Sequence, residues 1–271
     1  MSTLFHRITG LVRPHLVPSF LIIGAQKAGT SALFKMLAQH PQVIAPNVKE
    51  QHFFDIEATY RKGIRHYRQR FPLVPLRGPR PVTFEATPAY LYVDRCAKRI
   101  RTHLPDAPLV VVLRDPVKRA FSAWNMFRSF GQQSSQAHLR DIRSFTHAVN
   151  DEMNGKLVRP EHRYLARGHY AEQLQRYFDL FDRERITIVK YPDLKNDPAS
   201  VLDRVCAAVG LAPHHFNETT LQVKDNVRAY PEPMDPEVAE KLYAYFAPQM
   251  QELQRMLGPG WDLGEHTNTG S

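Results

Sequence analysis

Two stretches of this sequence combine a cation, hydroxyls and a turn at spacings suited to holding an anion. The first is Gly24-Ala25-Gln26-Lys27-Ala28-Gly29-Thr30-Ser31. It follows a compact apolar run, Phe20 to Ile23, and precedes Ala32 to Gln39, where Leu33, Met36 and Leu37 recur at helical spacing. A strand, a glycine-bearing loop and a helix in that order offer the helix's unpaired N–H groups to a phosphate at the carboxyl end of the strand. Lys27 adds a cation, and Thr30 and Ser31 add two hydroxyls, to the same anion. An ordinary strand-to-helix turn has the same outline, so the lysine and the hydroxyls carry the argument. The second stretch is Leu109-Val110-Val111-Val112-Leu113-Arg114-Asp115-Pro116, followed by Arg119 and Ser122. Arg114 at the exit of a strand, with Ser122 on the second turn of the next helix, can grip another phosphate through guanidinium and hydroxyl hydrogen bonds. A helix cap and a surface charge would give the same letters, so this stretch alone decides nothing.

Neither stretch is a Walker A loop. That pattern places lysine directly after its second glycine, where this chain has Thr30, and Lys27 precedes Gly29 by two positions. A P-loop kinase or NTPase also needs a metal-binding strand end, and here Arg114 intervenes between the strand and Asp115.

The elements that must position these residues follow from periodicity. Leu109 to Leu113, five aliphatic residues without alternation, is the clearest buried strand, with Asp115 as N-cap and Pro116 at the first position of a helix running to about Phe127. Val82 to Glu85 and Ile186 to Val189 are further short strands, and helices are expected over Tyr170 to Phe181, Ala199 to Val209 and Asp235 to Leu257. Strands alternating with helices predict a three-layer α/β/α fold with a mostly parallel central sheet. Gly131 to Gly155, polar and rich in Gln and Ser, is expected to be a surface loop rather than a lid. The expected organisation is an N-terminal extension over 1–18, one domain over 19–258 and a tail over 259–271.

Composition narrows the partners. Lys plus Arg total 36 against 27 Asp plus Glu, a net charge of +9, which favours an anionic ligand. The basic residues are spread along the chain without a long run, so an electropositive cleft for an anionic small molecule fits as well as a nucleic-acid face, and charge alone does not choose. It is the motifs, not the composition, that lead to an expectation of no nucleic-acid partner. Met1 to Pro18 has no continuous apolar region of the kind a signal peptide carries, and no window of about 18 apolar residues suggests a membrane span. Cys96 and Cys206, far apart in expected helices, fit packing residues in a reducing compartment and a cytoplasmic address. The sequon at Asn217 would matter only in a lumenal enzyme. No Cys/His cluster with zinc spacing occurs.

The two anion cradles, with three further segments, make the sequence resemble the sulfotransferases that use 3′-phosphoadenosine 5′-phosphosulfate (PAPS). Lys49-Glu50-Gln51-His52-Phe53-Phe54-Asp55 and Thr83-Phe84-Glu85-Ala86-Thr87-Pro88-Ala89-Tyr90 are similar to segments of the heparan sulfate N- and 3-O-sulfotransferases. Arg228-Ala229-Tyr230-Pro231-Glu232, with Met234-Asp235 after it, resembles the loop with which that group covers its nucleotide. The matching segments run in order from about Phe20 to Leu257. The resemblance implies a P-loop NTPase-like sulfotransferase fold that moves a sulfuryl group from PAPS to a hydroxyl or amine of a carbohydrate-like or small-molecule acceptor, with no required metal. It places Lys27, Ala28, Gly29, Thr30 and Ser31 around the 5′-phosphosulfate, and Arg114, Ser122 and Arg228 on the 3′-phosphate. Lys27 would stabilise the charge that builds on the bridging oxygen. Glu50 falls at the position of the general base. In an extended segment Glu50 and His52 would point the same way, so that both reach one acceptor hydroxyl.

Two departures bear on the acceptor. Ala86 stands where the resembling enzymes often have lysine, so that Lys27 must do more or another cation must help. Asn226-Val227 replaces a Lys-Gly pair, with Lys224 nearby as a substitute. Two other readings remain: a nucleotide- or polyanion-binding module without catalysis, and the P-loop kinase.

Overall fold

The computed structural model describes residues 13–131, 133–156, 158–223, 230 and 232–263. The first half of the chain runs β1 (Phe20–Gly24), α1 (Thr30–Leu37), α2 (Glu57–Tyr60), α3 (Gly63–Arg68), β2 (Phe84–Ala86), α4 (Ala89–Tyr92), α5 (Arg95–His103) and β3 (Leu109–Leu113). Then come α6 (Pro116–Arg128), α7 (Phe145–Met153), α8 (Tyr170–Phe178), β4 (Ile186–Lys190), α9 (Tyr191–Asn196), α10 (Pro198–Ala208), α11 (Glu218–Leu221) and α12 (Pro236–Leu257).

The four strands form one parallel sheet in the order β2-β1-β3-β4. β1 and β3 are therefore neighbours, and the segments leaving their carboxyl ends start side by side. This is the parallel α/β architecture expected from the alternation of strands and helices. All five residues of β1 and of β3 are buried, as a strand covered on both faces requires. Phe20 stacks on Phe84 across the β1–β2 pair, with ring centroids 4.8 Å apart. Asp115 caps α6 by accepting from the Lys118 amide at 2.7 Å, with Pro116 at the first helical position.

The core has two parts. One is built on the sheet and takes in Leu263 from the chain's later residues. The other lies under α6, α7 and α12, around Phe121, Trp124, Phe145 and Phe246. The second cluster corrects the expectation of a surface loop over Gly131 to Gly155. Phe145, Ala148 and Val149, at one-turn spacing, bury one face of α7 against α6. The link before α7 is pinned by the Arg143 guanidinium, which bonds to Asp141 at 2.7 Å and Asp151 at 3.0 Å.

Candidate functional site

At the carboxyl ends of β1 and β3 the chain opens into a cleft of about 1210 Å³. Lys27, Gly29, Thr30, Ser31, Glu50, His52, Arg114 and Ser122 all lie on its wall. These are eight of the residues singled out by their chemistry, and the fold brings them together from three separate stretches of sequence.

The loop after β1 is held in a conformation that its residues do not adopt freely. Lys27 has φ 66° and Gly29 φ 87°, both in the left-handed region. A Cβ on Gly29 would also come within 3.1 Å of Tyr191 and 3.2 Å of Leu194, so only glycine meets both the backbone and the packing demand. Gly29 is the N-cap of α1 and provides no capping side chain, which leaves the first N–H groups of the helix facing the cleft beside Thr30 and Ser31. Ala28 is fully buried, and its amide donates to the Ala25 carbonyl at 3.2 Å.

Arg114 joins the two cradles. Its Nη1 donates to the Lys27 carbonyl at 3.0 Å, and its guanidinium lies over the Tyr191 ring at 4.7 Å. The strand order explains the meeting, since the residue that follows β3 and the loop that follows β1 leave adjacent parallel strands at their carboxyl ends. Ser122 lies one helical turn beyond Arg119 on α6 and faces the same space. Arg228, Lys224 and the Asn226-Val227 pair lie outside the described residues. Tyr230 stacks on Phe121 with ring centroids 5.2 Å apart and lines the cleft.

On the opposite wall, the segment carrying Glu50 and His52 is not extended. Both residues are in the left-handed region, with φ 62° and 50°, so the alternation argument for their shared direction fails. Their side chains meet nevertheless, because two left-handed residues curl the segment back on itself: Glu50 Oε2 lies 3.4 Å from His52 Nε2. A third member was not anticipated. Asp55 Oδ2 is 2.7 Å from His52 Nδ1, and Lys49 bonds to the other side of Glu50. Burial works against the Glu50 carboxylate, but the hydrogen bonds and charges of His52 and Lys49 outweigh it and hold its pKa at about 2. Burial likewise disfavours the His52 imidazolium, and Asp55 and Glu50 outweigh it to push the pKa up to about 10. At neutral pH these shifts make the pair carboxylate plus imidazolium. The signal for Asp55 in the sequence was its spacing of three from His52, which a tight turn converts into contact.

β2 holds this wall in place. The Glu50 amide donates to the Ala86 carbonyl at 3.1 Å. The Tyr90 hydroxyl donates to Glu85 at 2.6 Å and accepts from the Phe53 amide at 3.0 Å. Glu85, almost wholly buried, also accepts from Thr87 and Tyr67. Ala86 itself is fully buried. Among the described residues no group of three or more His, Cys, Asp or Glu could hold a metal ion.

The chain's residues 18–227 match the sulfotransferase domain family. The chain belongs to that family. A crystal structure of a sulfotransferase from Alicyclobacillus acidocaldarius superposes with a TM-score of 0.70 at 30% identity, covering 89% of this chain and 96% of that one. Among curated relatives, the bifunctional heparan sulfate N-deacetylase/N-sulfotransferase 4 of Mus musculus is 28% identical over 89% of this chain, which spans 30% of the relative's length. Heparan sulfate glucosamine 3-O-sulfotransferase 3B1 of Homo sapiens is 30% identical over 91% of this chain and 65% of its own length. This sulfotransferase domain thus corresponds to under a third of the N-deacetylase/N-sulfotransferases. Lys27, Glu50, Arg114 and Ser122 lie within residues 18–227, and Arg228 lies one position beyond them.

Proposed function

We propose that this sulfotransferase domain moves a sulfuryl group from PAPS to a hydroxyl or amine of a carbohydrate-like or small-molecule acceptor. The observation that carries the reading is the bond from Arg114 to the Lys27 carbonyl. It couples two cationic cradles on adjacent strand ends, and a nucleotide with phosphates at both ends of its ribose suits that spacing. The 5′-phosphosulfate is assigned to the N–H groups and hydroxyls at the start of α1, with Lys27 over the bridging oxygen. The 3′-phosphate is assigned to Arg114 and Ser122, with Arg228 as a further contact. The relatives named for heparan sulfate support a carbohydrate acceptor.

In the proposed reaction the acceptor oxygen, or nitrogen, attacks sulfur in line with the bridging oxygen. Its bond to sulfur forms as the bond from sulfur to the bridging oxygen breaks, leaving adenosine 3′,5′-bisphosphate (PAP). The acceptor's proton passes to Glu50, and the electron pair of the broken bond stays on the 5′-phosphate, where Lys27 offsets the new charge. A carboxylate held at about 2 is a weak base while His52 and Lys49 both bind it. An acceptor hydroxyl that displaces either partner raises its basicity at the moment of attack. We place the chain in the cytoplasm on the same footing as the acceptor class; Cys96 and Cys206 are both buried and free, which suits a reducing compartment.

The test is radiolabelled sulfate transfer from PAPS to a panel of phenols, sugars and lipids, with and without EDTA, alongside calorimetry with PAP. Transfer that persists in EDTA is expected. Tight PAP binding without turnover on any acceptor would favour a binding module instead, and absence of PAP binding would refute the assignment.

A further inference from the structure

Arg167 is a cleft residue that the two cradles do not use. Its backbone belongs to the short turn Ala166–Gly168, which is fixed from several sides. The Glu152 carboxylate accepts from the Leu165 and Ala166 amides, each at 2.8 Å, and Gln173 Nε2 donates to the Ala166 carbonyl at 3.0 Å. The turn sits against the start of α6, since a Cβ on Gly168 would lie 3.0 Å from Pro116 Cβ. The other end of the side chain is elsewhere: the guanidinium lies over the ring of Tyr92, the last residue of α4, at 4.3 Å. α6 follows β3 and α4 follows β2, and β1 lies between those strands. α4 packs on the carboxyl end of β1, where a Cβ on Gly24 would meet Leu91 Cβ at 2.5 Å, so the guanidinium over Tyr92 lies on the side of the cleft where the Lys27 loop begins.

The guanidinium arrives there without a counter-ion. Its only hydrogen bond among the described residues is a long one, 3.5 Å from Nη2 to the Pro160 carbonyl. Nε is sealed from solvent with no hydrogen-bond partner, and among the described residues no carboxylate forms an ion pair with the guanidinium. Burial, and after it the neighbouring Arg119, lowers the Arg167 pKa to about 10, while Glu161 and Asp55 act on it only through space. Asp55 is the residue behind His52, so Arg167 is electrostatically part of the wall that holds Glu50. A half-buried cation without a carboxylate beside it is stabilised when an anion arrives in the cleft.

We infer that Arg167 binds oxygens of the sulfuryl group during transfer, as a second cation opposite the leaving-group side that Lys27 serves. This rests on the PAPS reading above. A guanidinium fork matches two oxygens of a sulfuryl group, and its fixed turn provides the preorganisation that charge stabilisation in a transition state requires.

The test separates this from the donor assignment and from an alternative in which Arg167 binds an anionic substituent of the acceptor. PAP titration of the wild-type chain comes first, since absence of binding refutes the donor reading and with it this one. With PAP bound, Arg167→Gln is expected to keep PAP affinity within about threefold and to lose turnover by about 10²-fold. The loss is expected with uncharged phenols and sugars, with their carboxylated counterparts, and in the slow transfer of the PAPS sulfuryl group to water. Arg167→Lys, which keeps the charge and loses the fork, is expected to retain PAP affinity and fall at least about tenfold below wild type; it decides the matter alone if the Gln variant does not fold. Undiminished turnover in the folded variants would overturn the inference. So would a defect confined to the Michaelis constants of carboxylated acceptors, which would make Arg167 an acceptor-binding residue.

Discussion

Asp55 sets the charge state of the acceptor wall, and Asp55→Asn tests that directly. The substitution is isosteric and keeps an oxygen able to bond His52 Nδ1, now 2.7 Å from Asp55 Oδ2, while removing the charge. Hydrogen bonds to charged groups contribute about 1.5–3 kcal/mol and neutral ones about 0.5–1.5 kcal/mol, a difference of about 1–1.5 kcal/mol. That difference alone is worth about one pH unit in the imidazolium's midpoint. The lost Coulomb attraction would be about 4 kcal/mol at 4 Å under an effective dielectric near 20. It must be cut severalfold because the His52 side chain is 37% exposed, leaving at most about another pH unit. The His52 midpoint should therefore fall from about 10 to about 8–9. Titration of the histidine ring carbon-bound protons by NMR, with His52→Asn used to assign the signal, reads this out. The wild-type His52 signal should not titrate between pH 5 and pH 8, roughly the range in which an ordinary histidine changes charge. The sign for stability follows: a raised histidine contributes fully below its ordinary 6.5 and loses its contribution as pH rises through about 10. A wild-type midpoint near 6.5, or no change on Asp55→Asn, would refute the assignment of His52 as a cation held by two carboxylates.

Lys27→Ala should lower turnover by about 10²–10³-fold with PAP affinity largely kept, whereas Arg114→Ala, which also frees the Lys27 carbonyl, should weaken PAP by about 10–100-fold; calorimetry and steady-state kinetics distinguish the two. Glu50→Gln should cut turnover by about 10²-fold or more without changing PAP affinity, and a fully active variant would move proton acceptance to another group. Gly29→Ala should destabilise the fold by about 1–2 kcal/mol, read by chemical denaturation, because the left-handed backbone there leaves alanine strained and its methyl group meets Tyr191 and Leu194.

Much of the framework was legible because it depends on local signals. Leu109 to Leu113 is the strand its unbroken aliphatic run announces, and Asp115-Pro116 begins α6 as cap and first-turn proline. The expected helices over Tyr170, Ala199 and Asp235 appear as α8, α10 and α12 with ends shifted by up to three residues, the usual uncertainty where helices fray. α7 was missed because polar residues around Phe145, Ala148 and Val149 hide a narrow apolar face that only tertiary packing against Trp124 and Phe121 reveals. The partners of the site were harder to read. Arg167 is separated from Lys27 by 140 positions in the numbering, and only the folded chain brings both to one cleft. Tyr191 beneath Arg114 is the first residue after β4, so its placement depended on knowing that β4 lies next to β3.

Among the described residues, the three non-glycine ones in left-handed conformation, Lys27, Glu50 and His52, are those assigned to the chemistry in the proposed reaction. Such a conformation costs about 1–2 kcal/mol per residue and persists where surrounding contacts over-determine it. Those contacts can be named. The Lys27 carbonyl is held by Arg114, the Glu50 amide by the Ala86 carbonyl, and His52 by Asp55, while the Tyr90 hydroxyl fixes the next amide at Phe53. Two of these four tethers come from β2 or the residues directly after it, and Glu85 anchors them with three hydroxyl donors in a nearly solvent-free setting. A short edge strand whose own side chains are buried therefore governs the geometry of a carboxylate it does not touch. The position of Glu50 is set from β2 and those of Lys27 and Arg114 from β1 and β3, so the parallel order of these three strands fixes how the Glu50 segment faces the two cations.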